Sequence, residues 1–188
     1  MATTFGPSAL ATPANAVTLS RLVGAPVLWL LIWANGPSWS ALGLWAVLAA
    51  TDGLDGWIAR RMGTTRSGAF LDPLADKALI IGAFWAVVAS GGFWWLPVAL
   101  ITAREVAISA FRSYWGRQGL AVPARYWAKV KVWVQVIAVA AALCPPIAQD
   151  QSWFVTGTLW AAAALTLVTG AQYVLEGSGA TSLRGVRV

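Results

Sequence analysis

Long apolar stretches separated by short polar segments make up most of this chain. Six stretches have the length of a membrane-spanning helix, which takes about 20 mostly apolar residues. We therefore predict an all-α polytopic membrane protein with helices at 18–35, 39–60, 71–90, 94–115, 126–143 and 153–174. Turn residues close three of them: Asn-Gly-Pro-Ser at 35–38, Gly-Gly at 91–92 and Cys-Pro-Pro at 144–146. The predicted transmembrane domain covers 18–175, after an interfacial segment at 1–17 and before a disordered tail at 176–188.

The composition supports a membrane-embedded chain. Apolar residues make up 59% of its 188 residues and charged residues 11%, whereas a soluble domain has about 25% charged residues. The 13 Trp residues suit the bilayer interface. The chain has no His and only Cys144 as cysteine, which excludes an imidazole base, a His ligand and an intrachain disulfide. The N-terminus lacks the basic and apolar regions of a signal peptide.

The basic residues predict the orientation of the helices. The 1–2, 3–4 and 5–6 connections contain no Lys or Arg. Because Lys and Arg favour the cytoplasmic side, we predict that both termini are cytoplasmic, with the protein in the inner (cytoplasmic) membrane of the cell. The net charge of +6 then reflects this bias rather than nucleic-acid binding. The basic residues are Arg21, Arg60, Arg61, Arg66, Lys77, Arg104, Arg112, Arg117, Arg125, Lys129, Lys131, Arg184 and Arg187.

Four of the seven acidic residues lie between positions 52 and 76. Asp52 and Asp55 are spaced i, i+3, and Asp72 and Asp76 are spaced i, i+4, so each pair shares a helix face. A short connection makes the two predicted helices antiparallel neighbours, on which the pairs can converge. Their mutual repulsion would be relieved by hard divalent cations bound through oxygen, such as Mg²⁺, Mn²⁺ or Ca²⁺. Two such ions suit displacement at a pyrophosphate.

Each residue of this stretch also has a structural explanation. Asp72 precedes Pro73, as an N-cap precedes a proline in the first turn of a helix. Gly56 and Gly68 could permit close helix packing, or they could leave room for a bulky ligand. The combined spacing of four Asp residues, with Gly and Arg between them, is harder to explain by packing than any single residue is.

The stretch resembles the signature of the CDP-alcohol phosphotransferase family, D-x2-D-G-x2-A-R-x7or8-G-x3-D-x3-D, with seven residues between Arg60 and Gly68. The eight matching positions are Asp52, Asp55, Gly56, Ala59, Arg60, Gly68, Asp72 and Asp76. The resemblance implies a six-helix membrane enzyme that transfers a phosphatidyl group from CDP-diacylglycerol to an alcohol and releases CMP. It also implies Mg²⁺ or Mn²⁺ as cofactor, with two ions, and a homodimer.

The resemblance also assigns roles to individual residues. Asp52, Asp55 and Asp72 would hold metal, while Asp76 would both touch metal and deprotonate the acceptor hydroxyl. A further group would contact CDP-diacylglycerol. That group is Asn15, Thr18, Gly56, Ala59, Arg60, Thr65 and Gly68.

A second group of charges predicts where the acceptor binds. Arg104 lies inside the fourth predicted helix, where a charged residue indicates function by default. Arg112 lies eight residues further along, near the same face, and Lys129 and Lys131 follow on the fifth helix. An acceptor that carries its own phosphate would need such a basic pocket. Alternatively, these side chains extend to the cytoplasmic surface, or Arg104 pairs with a carboxylate.

Three segments resemble one branch of this family in particular. "GAFLDPLADK", "REVAISAFR" and "KVKVWVQ" are similar to the bacterial branch that uses sn-glycerol 3-phosphate and makes phosphatidylglycerophosphate. A cardiolipin synthase with phosphatidylglycerol as acceptor is the alternative. A cation transporter with an acidic site is an alternative from another class of protein. A transporter needs polar groups near the bilayer midplane, whereas the predicted outer halves of these helices are apolar.

Overall fold

The computed structural model describes the backbone of residues 13–62, 66–117 and 126–182 and the side chains within 18–51, 75–111 and 130–172. The described backbone is helical, with no strand, which confirms the predicted all-α class. Six long helices correspond one to one with the six predicted. The elements are α1 (Pro13–Asn35), α2 (Trp39–Met62), α3 (Arg66–Ala89), α4 (Trp95–Arg117), α5 (Tyr126–Leu143), α6 (Pro145–Asp150) and α7 (Ser152–Ser182).

Two helix ends confirm the predicted turn residues. Gly36 follows α1 with a φ of 60°, and its N–H donates to the carbonyl of Ile32 at 2.8 Å. Gly91 follows α3 with a φ of 82°, and the N–H of Gly92 donates to Val87 at 2.9 Å. A glycine adopts this left-handed conformation at low cost. Both helices therefore stop where the sequence indicates.

Several predicted boundaries were wrong. α3 already begins at Arg66, so Asp72 and Pro73 lie inside this helix, and Asp72 does not cap it. α7 continues to Ser182, although the chain was expected to be disordered after residue 175. The short helix α6 was not predicted, because a Pro pair was interpreted only as the end of a helix. Proline is also well suited to the first turn of a new one, and Pro145 begins α6.

The helices form a bundle around α5. α1 packs against α2 and α3, α4 packs against α7, and α5 contacts α2, α3 and α7. The buried side chains include Trp45, Leu28, Phe84 and Val139. Because a buried indole N–H needs an acceptor, it is significant that Trp45 Nε1 donates to the carbonyl of Val136 at 3.2 Å, linking α2 to α5.

The bundle is apolar on its outer surface as well as in its core. Large apolar side chains such as Val23, Trp33, Val47, Trp133 and Trp153 are exposed, as they are in proteins whose surroundings are lipid. Among the described residues, two stretches are long and apolar enough to cross a membrane by length and composition, and two others are shorter. The long ones are Thr18–Asn35 and Ser152–Gln172, and the short ones are Trp39–Thr51 and Val130–Leu143.

Candidate functional site

The polar interior of the bundle lies at one end. Alternating helix directions bring together the end of α2, the beginning of α3, the later part of α4, the beginning of α5 and the later part of α7. The apolar helix-to-helix contacts fill the opposite end, where Phe84 stacks on Phe93 with ring centroids 5.5 Å apart. The end of the bundle at which α2 ends and α3 begins is therefore the candidate site.

The four aspartates of the motif all lie on helical backbone at this end. Asp52 and Asp55 belong to α2, and Asp72 and Asp76 belong to α3. The helical spacing that puts each pair on one helix face is thus present. The side chains of Asp52, Asp55 and Asp72 lie outside the described residues, so their convergence on metal stays a prediction. Their donors are all carboxylate oxygens, which fit a hard divalent cation.

Most residues expected to contact the nucleotide also lie outside the described part of the chain. Of that group only Thr18 has a described side chain, and it is buried in α1 with 2% of its surface exposed. The others, whose side chains the structure does not describe, are Asn15, Gly56, Ala59, Arg60, Thr65 and Gly68.

The basic cluster predicted from α4 and α5 forms in part. Arg104 and Lys131 both bond to Glu105: Arg104 Nη1 donates to Glu105 Oε1 at 2.9 Å, and Lys131 Nζ donates to the same oxygen. The three side chains are almost entirely enclosed, with 9–13% of each exposed. Arg112 and Lys129 were predicted here too, and their side chains lie outside the described residues.

Asp76 lies within electrostatic range of this basic cluster. The charge of the Arg104 guanidinium and, more weakly, that of the Asp76 carboxylate act on the Lys131 ammonium. Opposite charges attract strongly where water is scarce. The structure therefore brings together three of the residues predicted separately as base and as acceptor-phosphate ligands.

A chain of two hydrogen bonds connects α3 to α4 next to Asp76. Lys77 Nζ donates to Ser109 Oγ, and Ser109 Oγ donates in turn to the backbone carbonyl of Glu105. Lys77 follows Asp76 directly in α3. The path therefore fixes the α3 segment that carries Asp76 against the α4 turn that carries Arg104 and Glu105.

Sequence reasoning missed four polar groups at this end. Glu105 was not singled out beside Arg104, and no contact was predicted for Lys77, which was counted among the basic residues that indicate the orientation. Arg21 was treated as part of the basic N-terminal region, yet none of its surface is exposed in α1. Its position one turn from Thr18 in an apolar stretch was the available signal, because a buried Arg indicates function. Thr169 of α7 was not considered at all.

The fold and the grouping of these side chains define a class of protein. A helical bundle carries the aspartate motif at one end, beside an enclosed Arg–Glu–Lys cluster. The chain belongs to the CDP-alcohol phosphatidyltransferase family, whose model matches residues 11–168.

Individual relatives agree with this assignment. The chain is 36% identical over 176 residues to a probable phosphatidylglycerophosphate synthase of Mycobacterium tuberculosis, covering 90% of this chain and 83% of that protein. It is 37% identical over 171 residues to the CDP-diacylglycerol–glycerol-3-phosphate 3-phosphatidyltransferase of Salmonella choleraesuis, covering 87% and 93%. The Pseudomonas fluorescens protein of the same name is 36% identical over 170 residues, covering 85% and 87%.

Proposed function

We propose that this protein transfers the phosphatidyl group of CDP-diacylglycerol to sn-glycerol 3-phosphate and releases CMP. The names of the relatives support this acceptor. The observation that carries the proposal is the bonded path from Lys77, the neighbour of Asp76, through Ser109 to Glu105, which holds the α3 segment of Asp76 against the Arg104–Glu105–Lys131 cluster. It puts a carboxylate base beside a basic group that suits an acceptor with its own phosphate.

The reaction needs one proton transfer and one displacement. Asp76 accepts the proton of the acceptor 1-hydroxyl, and that oxygen bonds to the β-phosphorus, which carries the diacylglycerol. The bond from this phosphorus to the bridging oxygen breaks, and the bridging oxygen leaves with CMP. Arg104 and Lys131, together with Arg112 and Lys129, hold the 3-phosphate of the acceptor and so orient its 1-hydroxyl toward Asp76.

The motif aspartates are proposed to hold two divalent cations, Mg²⁺ or Mn²⁺. Bound there, the ions would neutralise charge on the pyrophosphate as its bond breaks. Asp52, Asp55, Asp72 and Asp76 are the ligands under this proposal. Arg60 and the small residues Gly56, Ala59 and Gly68, with Asn15, Thr18 and Thr65, would contact the CDP-diacylglycerol.

The setting of the enzyme is part of the proposal. We place six helices across the bacterial inner membrane, with both termini and the site on the cytoplasmic side, where glycerol 3-phosphate is dissolved. The exposed apolar side chains support contact with lipid, and the lipid substrate would enter sideways between helices. The family resemblance supports a homodimer.

An acceptor panel tests the reaction. Purified protein with CDP-diacylglycerol and Mg²⁺ is offered glycerol 3-phosphate, phosphatidylglycerol or inositol phosphate, and CMP release is measured. We expect release with glycerol 3-phosphate. Release with phosphatidylglycerol alone would make the protein a cardiolipin synthase. Excess chelator should stop the reaction and added Mg²⁺ or Mn²⁺ should restore it, whereas undiminished turnover in chelator would contradict the metal proposal.

A substitution tests the base. Asp76→Asn keeps the size of the side chain but cannot accept the proton, so kcat should fall by about 100-fold or more. Asp150→Asn is the matched control, because Asp150 is exposed on α6 at the other end of the bundle. Comparable turnover of the two variants would exclude Asp76 as the base.

A further inference from the structure

Helix α7 contributes a polar strip to the candidate site, although it carries none of the motif residues. Thr166, Thr169 and Gly170 are spaced i, i+3, i+4, so they share a helix face. Thr166 is fully buried, and its hydroxyl accepts a hydrogen bond from Gln135 Nε2 of α5 at 3.0 Å. Thr169 is 9% exposed and contacts Arg104 of α4. The strip therefore faces the two helices that carry the basic cluster.

Thr169 is a hydrogen-bond acceptor for Arg104. Its own hydroxyl proton is directed to backbone carbonyls of α7, at 2.7 Å from Leu165 and 3.1 Å from Thr166. The lone pairs of the oxygen are therefore left for Arg104 Nη2, which donates at 3.2 Å. This bond fixes one edge of the guanidinium, while Glu105 fixes Nη1 at 2.9 Å.

Gly170 provides the space in which the stem of Arg104 lies. A Cβ atom at position 170 would be 2.8 Å from Arg104 Nε and 3.0 Å from its Cγ, closer than such atoms approach in proteins. These atoms are in the middle of the side chain, whose end is already held by Thr169 and Glu105. Arg104 Nε is buried there without a hydrogen-bond partner among the residues the structure describes. A larger residue at 170 would therefore displace the whole guanidinium.

We propose that Thr169 and Gly170 are positioning residues, which set the orientation of Arg104 and thereby the affinity for the acceptor phosphate. This inference rests on the proposed function, because it takes Arg104 as a ligand of that phosphate. A guanidinium binds phosphate through N–H donors with fixed directions, so its orientation determines how well it binds. α7 is then one wall of the acceptor pocket.

The test compares two glycines of the same helix. Gly170→Ala should raise the KM for glycerol 3-phosphate about tenfold, the effect of losing one charge-assisted bond, with the KM for CDP-diacylglycerol unchanged. Gly157→Ala is the matched control, because a Cβ at 157 meets nothing within 4 Å. Equal KM values in the two variants, or an equal rise for both substrates in Gly170→Ala, would overturn the inference.

A pair of variants at Thr169 tests the positioning of Arg104 independently, in case Gly170→Ala does not fold. Thr169→Val has the shape of threonine but cannot accept the bond from Arg104, so it should raise the KM for glycerol 3-phosphate several-fold. Thr169→Ser keeps the hydroxyl and should restore the wild-type KM. A serine variant as impaired as the valine variant, or a valine variant with wild-type KM, would contradict the role of Thr169.

The wild-type acceptor panel separates this inference from the proposed function. If wild type uses phosphatidylglycerol and not glycerol 3-phosphate, the proposed function fails. The same variants are then measured with phosphatidylglycerol. A selective rise in the KM for that acceptor would still support the α7 wall, and its absence would overturn it.

Discussion

Glu105 is the carboxylate that allows two basic side chains to share one enclosed space. Arg104 and Lys131 would repel each other there, and Glu105 Oε1 binds both. Removing one member of an enclosed ion group leaves charge without compensation, which costs more than the group itself contributes. Glu105 is therefore expected to matter first for stability, and through Arg104 and Lys131 for acceptor binding.

We predict that Glu105→Gln lowers the stability of the folded protein. The amide still accepts one hydrogen bond but carries no charge, so a loss of about 2 kcal/mol is expected. That loss corresponds to a fall of about 4–8 °C in the unfolding midpoint of a chain of this size. Thermal unfolding in detergent measures it, with Asp150→Asn as the control for loss of an exposed carboxylate. Equal midpoints for the two variants would contradict the role of Glu105.

Arg104 could be predicted from the sequence, whereas the partners of Glu105 could not. A charged residue inside an apolar stretch is conspicuous, because burying its charge requires a reason. Glu105 carries that signal too, but its pairing with Arg104 does not follow from the spacing, since residues i and i+1 on a helix do not normally face each other. The pairing depends on the long Arg side chain turning back toward Glu105 and on Lys131 arriving from α5. The contact of Thr169 with Arg104 could not be predicted either, because a Thr within an apolar helix does not by itself indicate a polar partner.

At the scale of whole elements, the packing of α1 on α3 places the helix that carries Asp72 and Asp76. The contact is close because Gly82 of α3 has no side chain where the indole of Trp29 lies. Leu28, Ile32, Ala83 and Phe84 are fully buried around it. A change at this contact should therefore affect both the stability of the protein and the position of the helix that carries Asp72 and Asp76.

We predict that Gly82→Ala destabilises the protein. A Cβ at 82 would overlap the Trp29 ring, and overfilling a packed interior typically costs about 1–3 kcal/mol. Thermal unfolding in detergent should show a lower midpoint. Gly43→Ala, in α2, is the control, because a Cβ there meets nothing within 4 Å. If both variants unfold at the wild-type temperature, the α1–α3 contact adapts more readily than the structure implies.

The existence of the long helices was predictable, but several of their ends were not. Apolar stretches of span length and the turn glycines at 36 and 91 identify the helices. The beginning of α3 was missed because Arg66 and Gly68 are both unfavourable in an apolar helix. The extent of α7 was missed because its last residues are small and polar. In both places, hydrophobic pattern alone carries no information about the backbone.

At the scale of the whole molecule, polar and apolar groups separate along the bundle axis. The described ionised cluster of Arg104, Glu105 and Lys131 lies at the end where α2 meets α3. The opposite end holds Asn35, Cys144 and the short helix α6, and its three connections contain no Lys or Arg. Since basic residues favour the cytoplasmic side, this asymmetry predicts that the end with the charged cluster faces the cytoplasm and that the opposite end faces outward.

Cysteine accessibility tests that orientation. Cys144 is the only cysteine, so Cys144→Ser gives a background in which Asn35→Cys and Asp150→Cys are single labelling sites, both exposed. In bacterial cells permeabilised only at the outer membrane, a membrane-impermeant maleimide should label both variants, because the predicted orientation puts both sites on the outer side of the inner membrane. The Cys144→Ser protein, which has no cysteine, controls for nonspecific reaction. A green fluorescent protein fused after Val188 tests the C-terminus, and it should fluoresce if that terminus is cytoplasmic. If either site is labelled only after the inner membrane is permeabilised, the connection that carries it lies in the cytoplasm. The predicted orientation of the helices on either side of that connection would then be wrong.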